Sequence, residues 1–212
     1  MSPQHHPADF LLLDYSTGML DRGARLVVTG HIGACARCRR DVAEAEQIGG
    51  ALVASLAPAP LHPDALTLAL ARIERPYPVA LAPPEQKHDW IAVPPEVLEA
   101  AKSRRRWAAP GVWVARVAGE HGRGRSYLLG VAAGMKVPRH THQGLEMVCV
   151  LKGTYRDGEA VHGPGDFACN DGTVDHQPQI TLEGECVCLV AADNALVPRD
   201  WLGRIFQPLV GI

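Results

Sequence analysis

The chain has 212 residues, 47% of them hydrophobic, and a formal net charge of −2. That length admits one large domain or two small ones with a real core, and the near-zero charge excludes a global pull toward nucleic acid or an anionic membrane. No run of about 20 apolar residues exists, which excludes a transmembrane helix. The opening Met-Ser-Pro-Gln-His-His lacks the basic and apolar regions of a signal peptide. The expectation is a cytoplasmic protein with no direct nucleic-acid or membrane partner. Its six cysteines are then reduced, and read first as metal ligands, redox groups or core residues.

Residues 1–75 read as helical. Leu11, Leu12, Tyr15 and Met19 recur at helical spacing behind Asp9, a candidate N-cap. Gly18 and Gly23 bracket a turn, and Leu26, Val27, Val28 and His31 suggest a second helix. A third is expected from Asp41 to Leu56, with Val42, Ala45, Ile48, Leu52 and Leu56 near a 3.6-residue period; Pro58 and Pro60 end it. A short fourth helix follows Pro63-Asp64, placing Leu66, Leu70 and Ile73 at i, i+4 and i+7. Pro76, Pro78, Pro83, Pro84, Pro94 and Pro95 then disfavour both helix and central strand and suit a stiff extended linker. The expected organisation is a helical domain at 1–80, a linker at 81–96 and a second domain at 97–212.

Arg104-Arg105-Arg106 is the only dense basic run and reads as a solvated face or linker edge. From residue 107 onward, short apolar runs alternate with glycines. Strands are expected at 111–117, 127–131, 145–151 and 187–191, with turns at Gly134, Gly153, Gly158, Gly163 and Gly165 among others. Many short strands with frequent turns argue for a small β-sandwich or barrel, and so for an α+β chain of two domains. The tail from Pro198, with Trp201, Ile205 and Phe206, reads equally as short helix or edge strand.

The first chemical constellation is His31, Cys35 and Cys38, an H-x3-C-x2-C pattern. On one helix, positions i, i+4 and i+7 share a face. If the chain turns at Cys35, the C-x-x-C is itself a chelating bite. Structural zinc wants four tetrahedral N/S ligands, and His5 and His6 are both available as the fourth. Such a staple matters in a domain of about 75 residues, which has little core to spare. A thioredoxin-like redox pair is disfavoured, because no strand precedes the cysteines.

The second constellation is G-x5-H-x-H-x3-E-x6-G, running from Gly134 through His140, His142 and Glu146 to Gly153. In a strand these three side chains have one parity and project to one face. Two imidazoles and a carboxylate suit Zn, Fe, Mn or Ni.

His5-His6-Pro7, the Leu-rich first helix and H-x3-C-x2-C together resemble the zinc-binding anti-sigma domain, and the whole chain resembles the ChrR family, in which that domain precedes a cupin. The resemblance implies zinc on His6, His31, Cys35 and Cys38. The second constellation resembles the first cupin motif, and Gly158, Pro164, Gly165 and Asp166 resemble the opening of the second. That implies His176 as fourth ligand beside His140, His142 and Glu146, with His162 as competitor. The second motif departs from the common pattern in having adjacent proline and glycine and a late histidine.

The family further implies an anti-sigma factor that sequesters a sigma factor of the extracytoplasmic-function (ECF) class and releases it on chemical stress sensed by the cupin. Leu66, Leu70 and Ile73 offer an apolar stripe for that partner, or for packing at home. Cys186 and Cys188 face the same side of a strand and suit either a trigger or buried apolar residues; Cys149 has parity opposite to Glu146. A metal-dependent cupin enzyme, such as an iron dioxygenase, and a zinc-stabilised scaffold for another partner are the other readings.

Overall fold

The computed structural model describes residues 2–74, 89–117, 125–194 and 197–198. Helix α1 (Asp9–Thr17) follows Ala8 in extended backbone, so Asp9 occupies the first turn rather than the cap. Its carboxylate there still faces the positive end of the helix dipole. Helix α2 (Arg22–Ala34) is capped by Asp21, whose side chain accepts the Ala24 N–H at 2.9 Å. One extended residue, Cys35, separates it from α3 (Ala36–Ala54), which therefore begins five residues before the expected Asp41.

The apolar stripe of α3 is only partly a core stripe. Cys38 and Val42 are buried, whereas Ile48, Leu52 and Leu56 are 65%, 65% and 70% exposed. A helix of this length reaches about 28 Å, and its last nine residues, 46–54, are all exposed. Helix α4 (Ala65–Ile73) forms where expected after Asp64, and none of its residues is buried.

Helix α5 (Pro95–Ser103) overlaps the end of the expected linker. Pro95 begins a helix instead of breaking one, because the first helical position needs no N–H. Val97, Leu98 and Ala100 on it are buried. The chain is already tied to the barrel at Ile91, whose N–H donates to the Leu151 carbonyl at 3.0 Å. Most of the proline cluster, residues 75–88, lies outside the described residues.

Eleven strands follow among the described residues: β1 (Arg105–Ala109), β2 (Val112–Arg116), β3 (Arg125–Val131), β4 (His140–Thr141), β5 (Glu146–Lys152), β6 (Tyr155–Asp157), β7 (Ala160–His162), β8 (Phe167–Asn170), β9 (Gln179–Ile180), β10 (Cys186–Ala192) and β11 (Val197–Pro198). They pair antiparallel in a six-stranded sheet, β1-β2-β3-β10-β5-β8, with a three-stranded sheet β7-β6-β9 and a pair β11-β4. The four runs expected as strands coincide with β2, β3, β5 and β10. Arg105 and Arg106 lie exposed on edge strand β1, in keeping with a solvated face. Trp201, Ile205 and Phe206 lie outside the described residues.

Strand β10 is buried along its whole length, and β5 along all but its last residue. Successive side chains point to opposite faces, so each strand serves two cores. Val148, Val150, Cys186, Cys188 and Val190 face the barrel interior with Tyr127, Tyr155 and Ile180. Met147, Cys149, Leu151, Val187, Leu189 and Ala191 face outward into a second core completed by Leu11, Leu12, Leu26, Val27 and Val28 of the helices. The helical region and the barrel thus share a core rather than being joined only by a linker. Two glycines let α2 approach: a Cβ on Gly23 would sit 3.3 Å from Ser126 Cβ, and one on Gly30 would sit 3.5 Å from Cys149 Sγ.

Candidate metal centres

The first cluster forms where α2 hands over to α3. His31 lies in the last turn of α2, Cys35 in the single extended residue, and Cys38 in the first turn of α3. The chain therefore turns at Cys35, and the three do not share one continuous helix face. His6 arrives from the extended N-terminal segment, and its Nδ1 lies 3.5 Å from each of His31 Nε2, Cys35 Sγ and Cys38 Sγ. With Zn–S about 2.3 Å and Zn–N about 2.0 Å, a tetrahedral site separates neighbouring S and N ligands by about 3.5 Å and two N ligands by about 3.3 Å. The four donors fit that shell. His31 donates from Nδ1 to the Gly165 carbonyl at 2.7 Å, leaving its Nε2 lone pair turned to the cluster. Burial lowers the His31 pKa from its ordinary value. Burial, then the Cys35 thiol, pushes Cys38 up to about 12. These groups stay neutral without a cation, and a cation would draw the thiol protons off.

The second cluster lies inside the barrel. His140 and His176 form an isolated antiparallel bridge, each N–H donating to the other's carbonyl at 3.1 Å, which sets their rings side by side. His176 Nε2 lies 3.0 Å from His140 Nε2 and 3.1 Å from His142 Nε2, and His142 Nε2 lies 3.6 Å from Glu146 Oε2. Glu146 reaches the cluster from β5, after a turn at Gly144 with φ 95°, and not along one strand with the histidines. The far ring nitrogens are engaged: His140 Nδ1 donates to the Pro138 carbonyl at 2.7 Å, and His176 Nδ1 meets Asp157 Oδ2 at 2.5 Å. Both rings consequently turn Nε2 lone pairs toward each other, an arrangement that a cation relieves. Burial, foremost, lowers the pKa of His140 and takes His142 down to about 4, while it raises Glu146 to about 7. Within each cluster the four donor atoms lie within 4.8 Å of one another.

A family model described as the ChrR cupin-like domain matches residues 93–195. The anti-sigma-E factor ChrR of Cereibacter sphaeroides is 32% identical over 221 aligned residues, covering all of both chains. This chain belongs to the ChrR family. The crystal structure of Rhodobacter sphaeroides SigE in complex with the anti-sigma ChrR contains a chain that superposes with a TM-score of 0.76 at 31% identity, covering 90% of this chain and 100% of that one. An RmlC-like cupin from Ralstonia eutropha superposes at a TM-score of 0.40 and 26% identity, over 44% of this chain and 63% of that one. The ChrR-family architecture, a helical region followed by a cupin barrel, is the one described above.

His5, the alternative fourth ligand of the first cluster, stands apart from it. Its ring lies 4.2 Å from that of His162, and its Nε2 lies 3.1 Å from the Val161 carbonyl. His162, the competitor of His176, stacks on Tyr155 at 4.7 Å, away from the second cluster. Cys186 and Cys188 share a face, with Sγ atoms 3.8 Å apart, and line a cavity of about 60 Å³ beside His140, Glu146 and His176. Cys149 faces α2, and burial raises its pKa to about 12. Leu66, Leu70 and Ile73 are 70%, 52% and 79% exposed. Sequence reasoning missed Asp157 and Asn170, the second of which donates to Glu146 Oε2 at 3.4 Å. Asn170 faces Glu146 through the β5–β8 pairing, and Asp157 meets His176 19 residues away through its side chain, so no local pattern marks them.

Proposed function

We propose that the chain is an anti-sigma factor whose helical region holds an ECF sigma factor and whose cupin barrel senses the releasing signal. Full-length similarity to ChrR carries this reading, since it includes the helical region as well as the barrel. The ChrR seen in complex with SigE superposes on 90% of the chain. Leu66, Leu68, Leu70 and Ile73 of α4 are exposed, as are Ile48 and Leu52 of α3 and Leu56 just beyond it, and exposed apolar residues in such number are what partners bury. Inhibition is steric: a sigma factor held there cannot engage core RNA polymerase.

Zinc on His6, His31, Cys35 and Cys38 would supply a closed structural staple, and zinc, iron, manganese or nickel on His140, His142, Glu146 and His176 an occupied sensor site. On this reading the helical unit covers residues 1–80 and the cupin unit 97–212, with a linker at 81–96 between them. No helix among the described residues is long and apolar enough to cross a membrane, in keeping with a cytoplasmic regulator. The stress signal is chemical, with oxidation foremost, and ligand loss or oxidation at the barrel would bias the two states. The barrel ligands by themselves also fit a cupin enzyme, but full-length similarity to an anti-sigma factor favours the sensor.

Affinity capture of the tagged protein from its host tests this reading. The expected result is an ECF sigma factor retained by the native protein and lost when His31, Cys35 and Cys38 are replaced by alanine. Capture without any sigma factor, from protein still holding metal, would contradict it.

A further inference from the structure

The turn 163–167 between β7 and β8 belongs to the barrel, yet it grips the ligands of the helical cluster. The Gly165 carbonyl accepts from His31 Nδ1 at 2.7 Å. Asp166 is 5% exposed. One of its oxygens accepts the backbone N–H groups of Gln4 at 2.5 Å and His5 at 2.9 Å, and the other accepts the Gly163 N–H at 2.8 Å. The Phe167 N–H donates to the His5 carbonyl at 3.1 Å. The backbone on the N-terminal side of His6 is thus fixed to the barrel at residues 4 and 5.

The turn is in its turn anchored on β5. Gly165 N–H donates to the Val150 carbonyl at 2.8 Å, and Val150 N–H donates to the Asp166 carbonyl at 3.0 Å. Gly165 has φ +88°, and a Cβ there would come within 2.8 Å of Pro3 Cγ and 2.9 Å of Ala34 Cβ. Backbone therefore meets the helical region with no room for a side chain.

We propose that this barrel turn is the outer shell of the helical metal site, with Gly165 fixing the ring of His31 and Asp166 positioning His6, so that the barrel sets the site's metal affinity. The inference rests on the reading that the first cluster takes a metal. His6 needs such support most, because it comes from an extended segment with no helix to hold it, and ordering that segment costs entropy. Groups that orient metal ligands from outside typically change affinity by about 10- to 100-fold when removed. Strand β8 then runs from Phe167, whose ring lies 6.0 Å from that of His31, to Asn170 beside Glu146. One short strand therefore touches both ligand clusters.

The test is a cobalt(II) titration of the full chain, followed by thiolate-to-cobalt charge-transfer absorption. The barrel cluster contains no cysteine, so that band reports the helical site alone. Asp166→Ala is expected to weaken cobalt binding by about 10- to 100-fold. Asp166→Asn keeps an acceptor oxygen but loses the charge, and is expected to fall between it and the native protein. Asp193→Asn, altering a carboxylate that accepts the Leu145 N–H at 2.8 Å, is expected to leave the titration unchanged. Circular dichroism establishes that each variant is folded, and if Asp166→Ala is not, the isosteric Asp166→Asn decides. Folded Asp166 variants that bind within about twofold of the native protein would overturn the inference, since that is far short of an outer-shell effect. No thiolate band in the native protein would overturn the metal reading itself, and this inference with it.

Discussion

The two clusters are built in opposite ways. The helical one joins three residues around a helix-to-helix turn to a histidine from the N-terminal segment, and it leans on a barrel carbonyl for support. Its two thiols and two imidazoles form a soft, closed set, the kind that holds structure. The other cluster is assembled wholly from barrel strands and loops, is oriented by Pro138 and Asp157, and borders an apolar cavity. Its three imidazoles and one carboxylate form a harder set with space beside it. A closed set resists change and an open-sided set admits it. That division fits a chain that grips with one end and senses with the other.

Removing the closed set should have the largest effect. Replacing Cys35 and Cys38 by alanine, or stripping metal with a chelator, is expected to lower Tm by on the order of 10 °C or more, because binding at a structural site is folding free energy. Calorimetry with and without chelator checks this; equal loss from disabling His140 and His142 would erase the contrast between the clusters. Next comes the shared core. Gly30→Val would drive a branched side chain toward Cys149 and should cost about 1–3 kcal/mol by overpacking, read as a shift in denaturant midpoint. An unchanged midpoint would mean that α2 does not stay on the sheet in solution.

Proton linkage is the third and smaller effect. In the metal-free protein, burial holds His31, His140 and His142 below the ordinary value of 6.5, with His142 at about 4. The unfolded chain then binds more protons, so stability present above pH 6.5 is lost as pH falls toward 4. Glu146, raised by burial from 4.5 to about 7, works in the opposite sense over pH 4.5–7, one group against these three and His162, which burial also lowers. Tm of the metal-free protein should fall across that window; a rise on acidification would contradict these environments. Smallest for stability are Leu66→Asp and Leu70→Asp. Both sites are exposed, so stability should move by less than about 0.5 kcal/mol, while sigma-factor affinity falls about tenfold or more, as at an interface hot spot. Unchanged affinity would place the interface elsewhere.

Much of this was legible in the sequence, for identifiable reasons. Short-range spacing fixed which donors converge: His31, Cys35 and Cys38 lie within eight positions, and so do His140, His142 and Glu146. Long-range geometry was less legible. Helical period cannot tell a stripe packed at home from one left bare, so Ile48, Leu52 and Leu56 read like Val42 yet lie in the open. Pro95 looked like the end of a linker because proline stops helices from within but starts them at the first position. The docking of α2 on the sheet left only a faint trace, Gly23 and Gly30 on one helix, and glycine spacing alone points to no partner surface. Asp166 belonged to a recognised turn, but its hold on residues 4 and 5 appears only once the N-terminal segment is laid on the barrel.

The most direct measurement is transcription in vitro from a promoter read by the captured ECF sigma factor, with core RNA polymerase and rising amounts of the metal-loaded protein. The expected result is inhibition complete near one protein per sigma factor, and none from the variant lacking His31, Cys35 and Cys38. Full transcription in the presence of excess metal-loaded native protein would contradict the anti-sigma reading.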